Sequence, residues 1–130
     1  MNQDLEIILK ASTFKILDGE YAYVKVKRIP ETQDYFALIQ DKQEITIVSE
    51  VKQLKSLEII KKQAGYALIA LNVSVPFYSV GFLASVSNAI AAQGMNILIV
   101  STFSKDYILV KHEKLEMALE ALRVLGIKNA

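Results

Sequence analysis

The chain of 130 residues sets 15 Lys and Arg against 14 Asp and Glu, is 52% apolar and contains no Cys. That much apolar material offsets the entropy of ordering and excludes a disordered chain. A net charge of +1 creates no broad field to gather nucleic acid or an acidic membrane. The absence of Cys excludes a disulfide framework, a thiolate metal site and a cysteine nucleophile.

The opening segment, MNQDLEIILK, carries two acids and no basic n-region. It does not read as a secretory signal, so a cytoplasmic location is expected. Within it Leu5–Leu9 reads as a strand. Phe14–Leu17, Asp18-Gly19 and Glu20–Lys27 then read as a hairpin, because Asp-Gly supplies the positive φ values of a tight primed turn. Ala22, Val24 and Val26 alternate with Tyr23, Lys25 and Lys27, which predicts one apolar and one wet face. A second hairpin is predicted from Tyr35–Gln40 and Glu44–Ser49 around Asp41-Lys42-Gln43. Val51–Lys55 reads as a short helix and Leu57–Ile60 as a short strand.

From Gln63 to Ser104 no side chain is charged. Polar residues and Pro76 interrupt this stretch too often for a spanning helix, which needs about 18 consecutive apolar residues. It is therefore expected to be a buried core. Tyr66–Val75 reads as a central strand. Ser79 stands as an N-cap, Val80, Leu83, Val86 and Ile90 follow at helical spacing, and Gly94 closes that helix. Asn96–Phe103 and Tyr107–His112 read as strands. A last helix from Lys114 to Leu125 buries Leu115, Ala118, Leu119, Leu122 and Leu125, and Gly126 stops it.

The second half thus reads as strand, helix, strand, strand, helix, one strand short of a ferredoxin-like βαββαβ unit. Leu5–Leu9 is the expected donor. The predicted architecture is α+β, with two interleaved βαββαβ modules at 1–62 and 63–130, antiparallel sheets and helices on one face.

Chemistry is sparse. His112 is the only histidine, so a serine triad would have to use it, and no phosphate-binding glycine loop occurs. No catalysis, metal or cofactor is expected. The strands lack the basic-aromatic signature of RNA-recognition modules, so no nucleic acid is expected either. Two polar sets remain. Ser79, Val80, Gly81 and Phe82 begin the first long helix, whose free N–H groups suit a small carboxylate. Gly81 weakens a first turn, and either the approach of a ligand or second chain, or close helix–sheet packing, accounts for it. Thr102, Phe103 and Asp106 lie at a strand end and the following turn. Asp106 there either accepts an ammonium or guanidinium group or serves as an ordinary turn aspartate.

At these residues the sequence resembles small tandem ACT-domain proteins. The likeness is carried by Ser-Val-Gly-Phe-Leu-Ala-Ser at 79–85, Ala-Ala-Gln-Gly-Met-Asn-Ile at 91–97, Ser-Thr-Phe-Ser-Lys-Asp-Tyr-Ile-Leu-Val-Lys at 101–111 and Leu-Glu-Met-Ala-Leu-Glu-Ala-Leu at 115–122. These segments are similar to the regulatory ACT region of aspartate kinases and to the animal cytosolic arginine sensor. The segment at 35–50 resembles the family's first module. The resemblance implies a regulatory protein that binds an amino acid or similar metabolite at an interface between ACT modules. It implies a homodimer acting on a protein target that the sequence does not identify. By position, Gly81, Phe82, Thr102, Phe103 and Asp106 match ligand contacts of the arginine sensor. An acidic contact of that sensor is Ser79 here, which removes one charge aimed at a cationic ligand. The other reading is a protein–protein interaction module with no small-molecule ligand.

Overall fold

The computed structural model describes residues 3–74 and 79–130. Its helices are α1 (Gln3–Ala11), α2 (Phe82–Ala91) and α3 (Leu115–Leu125). Its strands are β1 (Thr13–Ile16), β2 (Tyr21–Val26), β3 (Ala37–Gln40), β4 (Ile45–Glu50), β5 (Ile59–Asn72), β6 (Leu98–Ser101), β7 (Asp106–Lys111) and β8 (Lys128–Asn129). The protein is α+β, and its chain divides into two compact units, Met1–Leu17 with Ala67–Ala130, and Asp18–Tyr66.

In the first unit, β1 pairs antiparallel with the end of β5 and parallel with β8, while β7 pairs with both β5 and β6. From β5 onward the elements follow the ferredoxin-like order βαββαβ. The tail does contribute a strand, but β8 is two residues long and β1 holds the place beside β5. Leu5–Leu9, expected as a strand, lies instead within α1. Its apolar run has the right length for a strand, yet Leu5, Ile8 and Leu9 also fall at helical spacing. Asp4 and Glu6 in the first turn and Lys10 in the last favour a helix by opposing the sign of the backbone dipole at each end.

All three helices bury against one face of this unit's sheet. Leu9 from α1, Val86 and Ile90 from α2, and Leu119 and Leu122 from α3 join Phe14, Ile69, Leu71, Ile108 and Val110 in one core cluster. Burying each large apolar side chain contributes about 1.5–3 kcal/mol. The uncharged stretch supplies many of these side chains. The expected stop of the last helix is present as a Schellman ending. The Ile127 N–H reaches the Leu122 carbonyl at 3.1 Å and the Gly126 N–H reaches that of Arg123 at 2.9 Å. Leu122 and Ile127 are both buried, providing the apolar contact that accompanies such an ending.

In the second unit the strand order is β3-β4-β2-β5. Ala22, Val24 and Val26 pack with Ile47 and Leu54, as the alternation requires. The hairpin at Asp41 is present. Asp41 Oδ1 accepts the N–H groups of Gln43 and Glu44, each at 2.8 Å. The expected hairpin at Asp18-Gly19 is absent, because β1 and β2 each pair with a different part of β5. The short strand expected at Leu57–Ile60 and the central strand merge into this 14-residue β5. Val51–Ser56 is a 3₁₀ turn.

Between Tyr21 and Tyr23, β2 advances two residues while β5 advances three, from Tyr66 to Gln63. The extra residue makes a bulge at Ala64-Gly65, with Gly65 at φ +85°, a left-handed conformation that glycine adopts without a Cβ penalty. A second register shift falls between Lys25 and Val26.

Candidate functional site

The two expected strips both belong to the first unit. The chain leaves β5 through Val73 and Ser74. The Ser12 hydroxyl donates to the Ile8 carbonyl at 2.6 Å and accepts the Ser74 N–H at 3.4 Å. Ser12 is fully buried, so it ties the end of α1 to the segment leading toward α2. The expected continuation of the strand at Val75, and the loop residues Pro76, Phe77 and Tyr78, lie outside the described residues.

Ser79 is not the N-cap. Its carbonyl accepts the Phe82 N–H at 3.0 Å, and α2 begins two residues later than the spacing predicts. Gly81 holds the cap position at φ +89° without a side-chain capping bond. A left-handed residue at that point turns the chain just before the helix starts. A Cβ at Gly81 would stand 3.2 Å from Leu5 Cδ2. Close packing by α1 is therefore one reason for the glycine.

Phe82 is 1% exposed and belongs to the core cluster, whereas Val80 is 91% exposed. The first strip thus offers Val80, the backbone around Gly81 and the half-buried Ser79, while the Phe82 ring anchors α2 beneath them.

The second strip is the turn between β6 and β7. Thr102 closes it with both backbone and side chain, its N–H reaching the Lys105 carbonyl at 2.8 Å and its hydroxyl the same oxygen at 3.3 Å. Phe103, at the tip, is 81% exposed. Asp106 opens β7 opposite Ser101, and the Ser101 hydroxyl donates to Asp106 Oδ1 at 2.7 Å. This cross-strand bond differs from a turn aspartate's local one. A carboxylate accepts about four hydrogen bonds, so this partner leaves acceptor capacity for a cation. Sequence spacing did not reveal Ser101 as the residue that orients Asp106, because the pair depends on strand register. Return of the chain through α2 brings the end of β6 to the end of the unit where β5 finishes, so the topology places both strips at that end.

Among the described residues no group of His, Cys, Asp and Glu is arranged to hold a metal ion. No helix among them is long and apolar enough to cross a membrane.

The family model of the ACT domain matches residues 62–124. Among solved structures, a Vibrio cholerae protein of unknown function, described as a possible transport protein, superposes with a TM-score of 0.80 at 23% identity. The match covers 95% of this chain and 97% of that one. The regulatory subunit of aspartate kinase from Thermus thermophilus gives a TM-score of 0.59 at 15% identity, over 88% of this chain and 95% of that one. Clostridium acetobutylicum aspartate kinase gives 0.68 at 12% identity, over 88% of this chain but 34% of the enzyme. No curated protein matches the chain in sequence. Residues 62–124 thus match the ACT domain model, and the chain shares the fold of aspartate kinase regulatory regions.

Proposed function

We propose that the protein is a non-catalytic regulator that binds an amino acid or similar small metabolite at an ACT–ACT interface of a cytoplasmic homodimer. Residues 1–62 form the first ACT-like module, with its β1 completing the sheet of the second, and residues 63–130 form that second module. Ser79, Val80, Gly81 and Phe82 line one side of the site, and Thr102, Phe103 and Asp106 line the other. ACT domains are regulatory modules and commonly bind amino acids, which supports the class of ligand.

One observation carries the interface. Val80 and Phe103, one from each strip, are 91% and 81% exposed in a region without charge on the first strip and with Asp106 at the rim of the second. Two large apolar side chains at one end of the unit favour a surface that a second copy covers. Asp106 offers the negative end for a ligand's ammonium group, and the N–H groups opening α2 offer the positive end for its carboxylate.

Thermal denaturation against the twenty amino acids tests this reading. A ligand at 100 times its Kd stabilises the native state by about 2.7 kcal/mol, which raises the midpoint measurably. The expected result is a selective rise with one or two amino acids, abolished by Asp106→Ala without loss of the folded spectrum. A flat panel from a folded dimer overturns the ligand and leaves the interaction module as the function.

A further inference from the structure

The second unit contains a cavity of about 300 Å³ that neither strip touches. Its walls include Tyr21, Asp34, Tyr35, Phe36, Ser49 and Glu50. Tyr21 opens β2, Ser49 and Glu50 end β4 opposite it, and the other three lie on the approach to β3. The Ser49 hydroxyl is 3.1 Å from the Glu50 carbonyl and 3.5 Å from that of Asp34, its acceptors. The Tyr21 and Phe36 rings meet edge to face with centroids 6.5 Å apart.

Two features point to a ligand. Both charged residues in the wall, Asp34 and Glu50, are acids, and among the described residues no Lys or Arg lines it. Aromatic rings line the same space, and their faces attract cations. Tyr21 is only 6% exposed, so most of its ring is packed into the wall, edge to face with Phe36.

The electrostatics agree. Burial pushes the Tyr21 phenol above its ordinary value, and the negative charges of Glu50 and Asp18 push it further in the same direction. The field that opposes a phenolate favours a positive guest. Lys52 Nζ approaches Glu50 Oε2 at 3.4 Å, but that lysine side chain is 70% exposed. An exposed pair of this kind is held weakly, so a ligand's charge can take its place.

We propose that this cavity is a second small-molecule site, distinct from the ACT–ACT strips, that binds an organic ammonium ion. Glu50 and Asp34 receive the charged nitrogen, the rings of Tyr21, Tyr35 and Phe36 cover the adjoining carbon chain, and the Tyr21 hydroxyl accepts one N–H.

Cadaverine titrated calorimetrically into the full chain at low salt tests the site, with 1,5-pentanediol as the neutral analogue and glutarate as the anionic one. The expected result is saturable binding of cadaverine alone, weakened at least tenfold in Glu50→Gln and in Asp34→Asn and left unchanged in Asp106→Ala. Loss in Asp106→Ala would place the cation in the first unit and overturn the assignment. Equal binding of the diol, or no saturable binding of cadaverine, also overturns it. Aromatic proton shifts of Tyr21, Tyr35 and Phe36 in the unaltered protein give a second readout that needs no variant. Shifts confined elsewhere count against the site.

Discussion

Gly81 and Gly65 have similar backbone angles in different surroundings, and the pair separates strain from crowding. Each occupies the left-handed region, at φ +89° and +85°, where a side chain costs about 1–2 kcal/mol. Around Gly65 an added Cβ meets nothing within 4 Å, whereas at Gly81 it meets Leu5 Cδ2 at 3.2 Å. Gly65→Ala is expected to lower stability by about that strain alone. Gly81→Ala is expected to lose somewhat more in the same urea titration. Combining Gly81→Ala with Leu5→Ala recovers the difference if crowding is its source. Asp41 provides the residue-scale pH dependence. Hydrogen bonds from the Glu44 and Gln43 N–H groups hold its carboxyl below the usual carboxylate value. Its contribution is present above the unfolded value and is lost as pH falls through the lower folded one. An NMR titration is expected to show Asp41 protonating at lower pH than a free aspartate, and a midpoint at or above the free value contradicts the geometry. The Asp41 turn was legible in the sequence because its bonds are local. The Ser101–Asp106 pair was not, because its partners meet only when strand register brings them together.

Among elements, α1 departs furthest from its sequence reading. Four apolar residues among the five of Leu5–Leu9 fit a strand as well as a buried helix, and the choice rests on what they pack against. Leu9 is fully buried in the helical layer, with Leu5 and Ile8 packed at its edge, while Ile7 is 60% exposed. That division is the one-sided burial of a helix. Leu9→Ala is expected to cost about 2–5 kcal/mol in chemical denaturation. Ile7→Ala on the exposed side is expected to cost far less, and equal losses would argue against helical burial. α2 and α3 were readable because apolar spacing and the glycines at 94 and 126 agree over more than two turns. The failed hairpin at Asp18-Gly19 has the opposite cause. Local turn chemistry favoured reversal, but the long β5 offered both strands a partner, and tertiary pairing prevailed over the dipeptide.

At the scale of the molecule, the uncharged stretch correctly announced where the larger core lies. The first unit's cluster holds side chains from three helices and the sheet, and the second unit's is built on Ala22, Val24, Val26, Ile47 and Leu54. Native-state hydrogen exchange is therefore expected to find the amides of Val24 and Ile47 opening at lower free energy than those of Ile69 and Val110. The reverse order would mean that core size does not govern local stability here. Neither the cavity beside Tyr21 nor the exposure of Val80 and Phe103 could be read from the chain, because both arise from how distant segments meet. The bulge at Ala64-Gly65 has a consequence for mutational tolerance. Along a strand each added residue exchanges inside for outside, so the two irregularities in β5 form a parity pair, the second restoring what the first inverts. Replacing Gly65 by alanine preserves that parity. Deleting it does not, and one half of β5 must then turn its core side chains to water, so this strand tolerates a change of letter far better than a change of count.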